Sequence, residues 1–214
     1  MSEKAAQSEI GANRPMTRIQ RKKREQILDA ALEVFSAEGF RGATLDRIAA
    51  EAGLSKPNLL YYYPSKEAVF QELMNGLLTT WLDPLKALDP KGNPKTEIMA
   101  YVRRKLEMSR DFPRESRLFA NEIVRGAPTL KPVLETDLKT LVHEKAAVIR
   151  KWMEAGRIAH CDPVHLVFSI WALTQHYADF DVQVRAVLGH DDPFPGAEQH
   201  LETLFARLLG DTAS

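Results

Sequence analysis

The chain has 214 residues, 44% of them apolar, and 29 basic residues balance 29 acidic ones. That apolar content is ample for a core, while the lack of an apolar run of about 18 residues or a signal-peptide pattern argues against membrane insertion and export. One cysteine, Cys161, excludes a disulfide framework within the chain and fits a reducing cytosol, so a cytoplasmic, nucleoid-associated location is expected.

The neutral total hides an asymmetry. Residues 1–66 hold 11 Lys and Arg against 8 Asp and Glu, whereas residues 67–214 hold 18 against 21. Between positions 13 and 24 lie Arg14, Arg18, Arg21, Lys22, Lys23 and Arg24, with no acidic residue among them. Residues 1–16 read as a disordered basic arm. A first helix follows from about Thr17 to Glu38, with Ile27, Ala31, Val34 and Phe35 on one face and Gly39 as its stop. The stretch TLDRIAAEAGLSKPNLLYYYPSK, 44–66, then reads as two short helices joined by a tight turn, with a third starting at once. Thr44, Ser55 and Ser65 are natural N-caps, Gly53 suits the positive φ of the turn, and Pro57 fits a first helical turn. A helix of about two turns with a polar start and an apolar underside has the form of a DNA recognition helix. Residues 17–66 therefore read as a helix-turn-helix DNA-binding domain.

Residues 67–214 read as a larger helical body. The helix from Ser65 extends to about 88, with Pro84 late in it as a kink or stop. A loop, LDPKGNPK, covers 88–95, and helical patterns follow at 96–110, 114–125, 129–155, 162–188 and 197–209. Asp162 and Pro163 open the fourth of these as N-cap and first helical residue. GHDDPFPG, 189–196, reads as a loop. The expectation is an all-α protein of about nine helices, without strands.

Several residues carry candidate chemistry. On the recognition helix Lys56, Asn58 and Tyr61 lie outward and Leu59 inward, with Tyr62 more suited to packing than to contact. Asn58 can pair with an adenine edge. Arg21 and Lys22 in the basic run, with Thr44, Lys56 and Lys66 at helix starts, suit phosphate contacts. In the body Trp171, Gln175 and Asp179 are spaced i, i+4, i+8, which puts them on one flank of a helix. Taken from spacing alone, Trp171 and Trp81 read as core residues rather than pocket residues, and Tyr177 as an ordinary helix residue. The six histidines show no HExxH or HxxxH spacing and no Gly-rich phosphate loop occurs, so no metal, cofactor or enzymatic activity is expected.

GATLDRIAAEAGLSKPNLLYYYPSKEAVF, preceded by a helix ending in GF, resembles the N-terminal signature of the TetR family of repressors. Leu60 stands where the family pattern has Tyr, and Tyr63 replaces its usual Phe. KLEMSRDFPRESRLFANEI and IWALTQHYADFDVQV are similar to the ligand body of one branch, regulators of pyrimidine utilisation that leave their operator on binding uracil. The resemblance implies a dimeric repressor on a palindromic double-stranded operator, with uracil or a related pyrimidine as effector. It implies a pocket built from Trp171, Gln175 and Trp81, with Tyr177 and Asp179 as further candidates. It also implies a dimer through 163–188 and 197–209, with Val164, Val167, Phe168, Leu201, Leu204, Phe205 and Leu208 at or beside the seam. The alternatives are another nucleobase or catabolite as effector and, in a different class, a ligand-independent architectural DNA binder.

Overall fold

The computed structural model describes residues 16–189 and 192–210, and these residues form helices and connecting turns with no strand. They divide into two compact units, Met1–Phe70 and Gln71–Ser214.

The first unit is organised by its caps. Thr17 and Gln20 form a capping box: Thr17 Oγ1 accepts from Gln20 N at 3.2 Å and Gln20 Oε1 accepts from Thr17 N at 2.9 Å. They start α1 (Arg18–Gly42), whose helical path is interrupted at Gly39, where φ is +67°. Ile27, Ala31, Val34 and Phe35 are buried along the inner face. α2 (Leu45–Glu51) and α3 (Lys56–Tyr62) follow, each capped as expected: Thr44 Oγ1 accepts from Arg47 N and Ser55 Oγ from Asn58 N. Gly53 takes φ +61° in the turn between them. Ile48, Ala49 and Leu59 are buried, and Phe70 meets both Phe35 and Phe40 with ring centroids 4.9 Å apart. Such aromatic pairs are worth about 0.5–1.5 kcal/mol each beyond their burial.

The second unit takes up the remainder of α4 (Lys66–Lys86), then α5 (Pro94–Asp111), α6 (Pro113–Val124), α7 (Lys131–Val133), a π turn (Leu134–Leu138), α8 (Lys139–Glu154), α9 (Pro163–Asp179), α10 (Asp181–Leu188) and α11 (Phe194–Leu209). α5 and α9 pack against each other at its centre. Ile98, Val102 and Leu106 of α5 and Leu166, Val167 and Ile170 of α9 are almost wholly removed from water. Asp162 caps α9 with one carboxylate oxygen, which accepts from Val164 N at 2.8 Å and His165 N at 2.9 Å. These bonds hold the Asp162 carboxyl below its usual range, the His165 amide contributing most.

Three features differ from the sequence expectation. The helix expected over 129–155 contains the π turn, which inserts a wider coil between α7 and α8. The helix expected over 162–188 breaks at Phe180 (φ −115°, ψ 29°), so α9 and α10 take separate paths. The last helix begins at Phe194 rather than 197, because Pro195 at its start needs no amide partner. Pro84 lies late in α4, as expected, and the helix closes two residues beyond it at Lys86. No described helix is long and apolar enough to cross a membrane.

Candidate DNA interface and effector cavity

In the first unit the polar face of α3 is free to meet another surface. Lys56, Pro57 and Asn58 are exposed, Tyr61 is 73% exposed, and Leu59 alone is buried. The Asn58 side chain lies in solvent while its backbone amide is used by the Ser55 cap. Lys56 Nζ pairs with Asp46 at 2.9 Å; an exposed pair of this kind is worth only about 0–1 kcal/mol and yields readily to a phosphate. Arg21 and Lys22 lie in the first turns of α1, Arg21 exposed, and Thr44 is exposed at the start of α2. Arg14 lies outside the described residues.

Of the expected contacts Lys66 sits differently, whereas Tyr62 packs as its position suggested. Lys66 Nζ donates to Phe40 O at 2.7 Å and Ala43 O at 2.8 Å, tying the start of α4 to the end of α1. Tyr62 is half-buried, its ring edge-on to Tyr61 and its carbonyl accepting from Arg24. Position at a helix start is therefore not enough to place an ammonium in solvent.

The second unit contains a cavity of about 660 Å³. Leu78, Leu82, Phe119, Leu134 and Leu138 give it apolar walls, so the π turn contributes directly to its lining. Trp171, Gln175 and Asp179 reach it from one flank of α9, and Trp81 reaches it from α4. Tyr177 does not: two residues after Gln175 it points round the helix, where its ring lies 6.2 Å from Phe194. The expectation for Tyr177 is corrected accordingly.

The polar groups around the cavity are arranged unevenly. Trp171 donates its indole N–H to the Tyr101 hydroxyl, which leaves its ring face for the cavity. Burial raises the Tyr101 phenol well above its usual range. Asp179 Oδ1 accepts from Ser116 Oγ at 2.6 Å, leaving its second oxygen uncommitted, and burial pushes its carboxyl upward against the opposing effect of Ser116. Arg117 donates to Ala178 O at 3.1 Å beside them. Gln175 makes no hydrogen bond among the described residues.

Lys105 is the residue that the sequence reading missed. It lines the cavity from α5, is 2% exposed, and holds its Nζ 5.4 Å from the Trp81 ring centroid. Burial lowers its ammonium to about 8, opposed by the charge of Asp179. A signal for it existed: Ile98, Tyr101, Val102, Lys105 and Ser109 form one buried stripe at helical spacing, and a lysine on such a stripe is rare without a purpose.

A helix-turn-helix unit joined to a helical unit with a polar-ended cavity defines an effector-controlled DNA-binding regulator. Known proteins agree. Residues 27–73 match the family described as bacterial regulatory proteins of the tetR family, and residues 74–210 match the YcdC-like protein C-terminal region. The chain is 52% identical over 167 residues to the HTH-type transcriptional regulator RutR of Escherichia coli strain K12, covering 78% of this chain and 79% of that one. A solved putative transcriptional regulator from Streptomyces coelicolor superposes with a TM-score of 0.69 at 22% identity, covering 88% of this chain and 99% of that chain. AibR, solved with isovaleryl coenzyme A and operator DNA, gives 0.65 at 17% identity over 88% and 99%; these two show the fold alone. The chain belongs to the TetR family: it is a TetR-type transcriptional repressor that binds DNA and is not an enzyme. Regulators of this family act on operator DNA and answer small-molecule effectors.

Proposed function

We propose that this repressor controls genes of pyrimidine catabolism or nitrogen scavenging and releases its operator when uracil or a close pyrimidine enters the cavity. The observation that carries the reading is Gln175, a carboxamide without a protein partner among the described residues, lining a cavity beside Trp171 and Asp179. A carboxamide meets the alternating N–H and carbonyl groups of a pyrimidinedione with two parallel hydrogen bonds, and an indole covers the flat ring. The 52% identity to RutR supports the same reading. Calorimetric titration of the full chain against a nucleobase panel, with operator release measured alongside, tests it. A protein that ignores both uracil and thymine is not a pyrimidine sensor. The volume of about 660 Å³ exceeds what a single six-membered ring fills and favours, as second reading, a larger nucleobase or substituted catabolite.

The effector acts by favouring one of two states of the regulator, and only to the extent that it binds them unequally. α4 is the natural lever, since the chain passes from one unit to the other within this helix and Trp81 lines the cavity from it. Asn58 reads a base, while Arg21, Lys22, Thr44, Lys56 and Tyr61 set register on phosphates. Asn58→Ala should change preference among operator variants by about 1–3 kcal/mol at the base it reads. Equal weakening on every variant in a binding-shift assay would assign Asn58 to the backbone instead.

The working form is a cytoplasmic homodimer on a palindromic operator, with two-fold symmetry matching two half-sites. Of the residues expected at the seam, Val167, Leu201 and Phe205 are 0%, 1% and 0% exposed within one protomer and belong to its core. Phe168, Leu204 and Leu208 remain, at 45%, 36% and 43% exposed, together with the half-buried Val164. Leu204→Asp with Leu208→Asp should yield a folded monomer by light scattering at micromolar concentration, with much weaker operator binding. A wild type of monomeric mass removes the dimer.

A further inference from the structure

Helix α3 is the element of the first unit that needs the most accurate placement, yet its own burial holds it by little. Of its seven residues only Leu59 is buried, while Lys56, Pro57, Asn58, Leu60 and Tyr61 are exposed. A two-turn helix with one apolar anchor is free to rock about it, whereas contacts with base edges demand placement within about 0.5 Å. Two side chains of α1 hold its ends. At the entrance, Gln26 Nε2 donates to Ala52 O at 2.6 Å, and Ala52 is the C-cap of α2, in the turn that leads into α3. At the exit, Arg24 Nη1 donates to Tyr62 O at 3.4 Å, and its guanidinium carbon lies 4.4 Å from the ring centroid of Tyr63. Tyr62 is the last residue of α3, and Tyr63, its C-cap, is 2% exposed. The last carbonyls of a helix lack partners within it and carry partial negative charge, so an amide or cationic donor suits them. A cation over a tyrosine face adds to the attraction.

We propose that Arg24 and Gln26 are positioning residues for DNA reading: they clamp α3 at both ends and fix where Asn58 and Tyr61 meet the major groove. This rests on the reading of α3 above as the helix that meets base edges. Arg24 differs in this from its basic neighbours Arg21 and Lys22, which are exposed. Its guanidinium is half-buried and committed to Tyr62 and Tyr63, so it makes no phosphate contact. Long basic side chains on phosphates follow a small displacement of the protein, but contacts with base edges do not. Loss of either clamp therefore lowers the preference for operator over unrelated DNA and leaves binding to DNA as such in place.

The test uses the full chain with two duplexes of equal length, one selected by the wild type from a random pool and one unrelated. Both affinities are measured over a salt series for the wild type, Arg24→Met, Gln26→Met and Asn58→Ala, with the binding-competent fraction fixed by stoichiometric titration. Arg24→Met and Gln26→Met should each bind the selected duplex about fivefold more weakly or worse, from the loss of one hydrogen bond. Both should bind the unrelated duplex like the wild type and keep its salt slope. A slope lower by about 0.9 in Arg24→Met, with both duplexes weakened equally, makes Arg24 a phosphate contact and overturns the proposal. A lowered melting temperature with unchanged preference assigns the pair to stability alone and overturns it too. Gln26→Met removes a donor without changing charge, and carries the test where Arg24→Met does not fold. If only Asn58→Ala alters the preference, the clamp falls and the reading of α3 stands; if none of the three does, both fall.

Discussion

A Gln175→Leu protein should fold, bind its operator with wild-type affinity, and fail to release it at uracil concentrations that empty the wild-type operator. Leucine keeps similar bulk on the α9 flank but removes both hydrogen-bonding groups of the carboxamide. The ligand's polar edge then stays unpaired in a cavity walled by Leu78, Leu82, Phe119 and Leu138. Such a group costs about 1–3 kcal/mol, or roughly five- to a hundredfold in affinity. The substitution is clean because Gln175 has no protein partner to lose among the described residues. Trp171→Ala is less so: it also removes the Tyr101 partner and the packing on Phe168, whose ring lies 5.6 Å away. Titration of the operator complex with uracil decides between the two outcomes. A Gln175→Leu protein that responds like wild type places the pocket on the wrong residues.

Replacing Arg21, Lys22 and Lys23 together by Ala should flatten the salt dependence of operator binding while leaving base preference nearly intact. All three lie in the first turns of α1, outside the buried face, and Lys23 is held by an exposed hydrogen bond to Gln26 at 3.0 Å. None of the three belongs to the core, so the variant should keep its stability. Each phosphate contact contributes about 0.9 to the slope of log affinity against log salt, and three contacts about 2.7. Between about 50 and 200 mM salt the wild type should therefore lose about fortyfold more affinity than the triple variant. A salt titration with an unchanged slope takes this segment out of the interface. The effect differs in kind from that of Asn58→Ala, because phosphates position the protein and base edges specify the sequence.

The caps are legible in the residues themselves. Thr17, Thr44, Ser55 and Asp162 each accept from an amide two or three residues on, a contact complete within one turn of chain. The turn at Gly53 and the two-turn α3 are legible for the same reason. So is the shared flank of Trp171, Gln175 and Asp179, which follows from 3.6 residues per turn once a helix is granted. The break at Phe180 and the π turn at Leu134–Leu138 are not, since both depart from that period under the demands of packing.

By itself, then, the sequence determined the all-helical class, the helix-turn-helix with its outward Lys56, Asn58 and Tyr61, and one wall of the cavity in the second unit. Tertiary structure alone decided which apolar residues turn inward. α11 carries Leu201, Leu204, Phe205 and Leu208, and only its packing against α5 sends Leu201 and Phe205 to the core and leaves Leu204 and Leu208 outside. It also drew Lys66 onto Phe40 and Ala43, and set Lys105 beside Trp81 and Asp179, residues far from it in the chain. The physical reason is one of range. Helical period and capping act within a few residues, whereas burial and charge environment are set by whatever the fold brings from elsewhere in the chain.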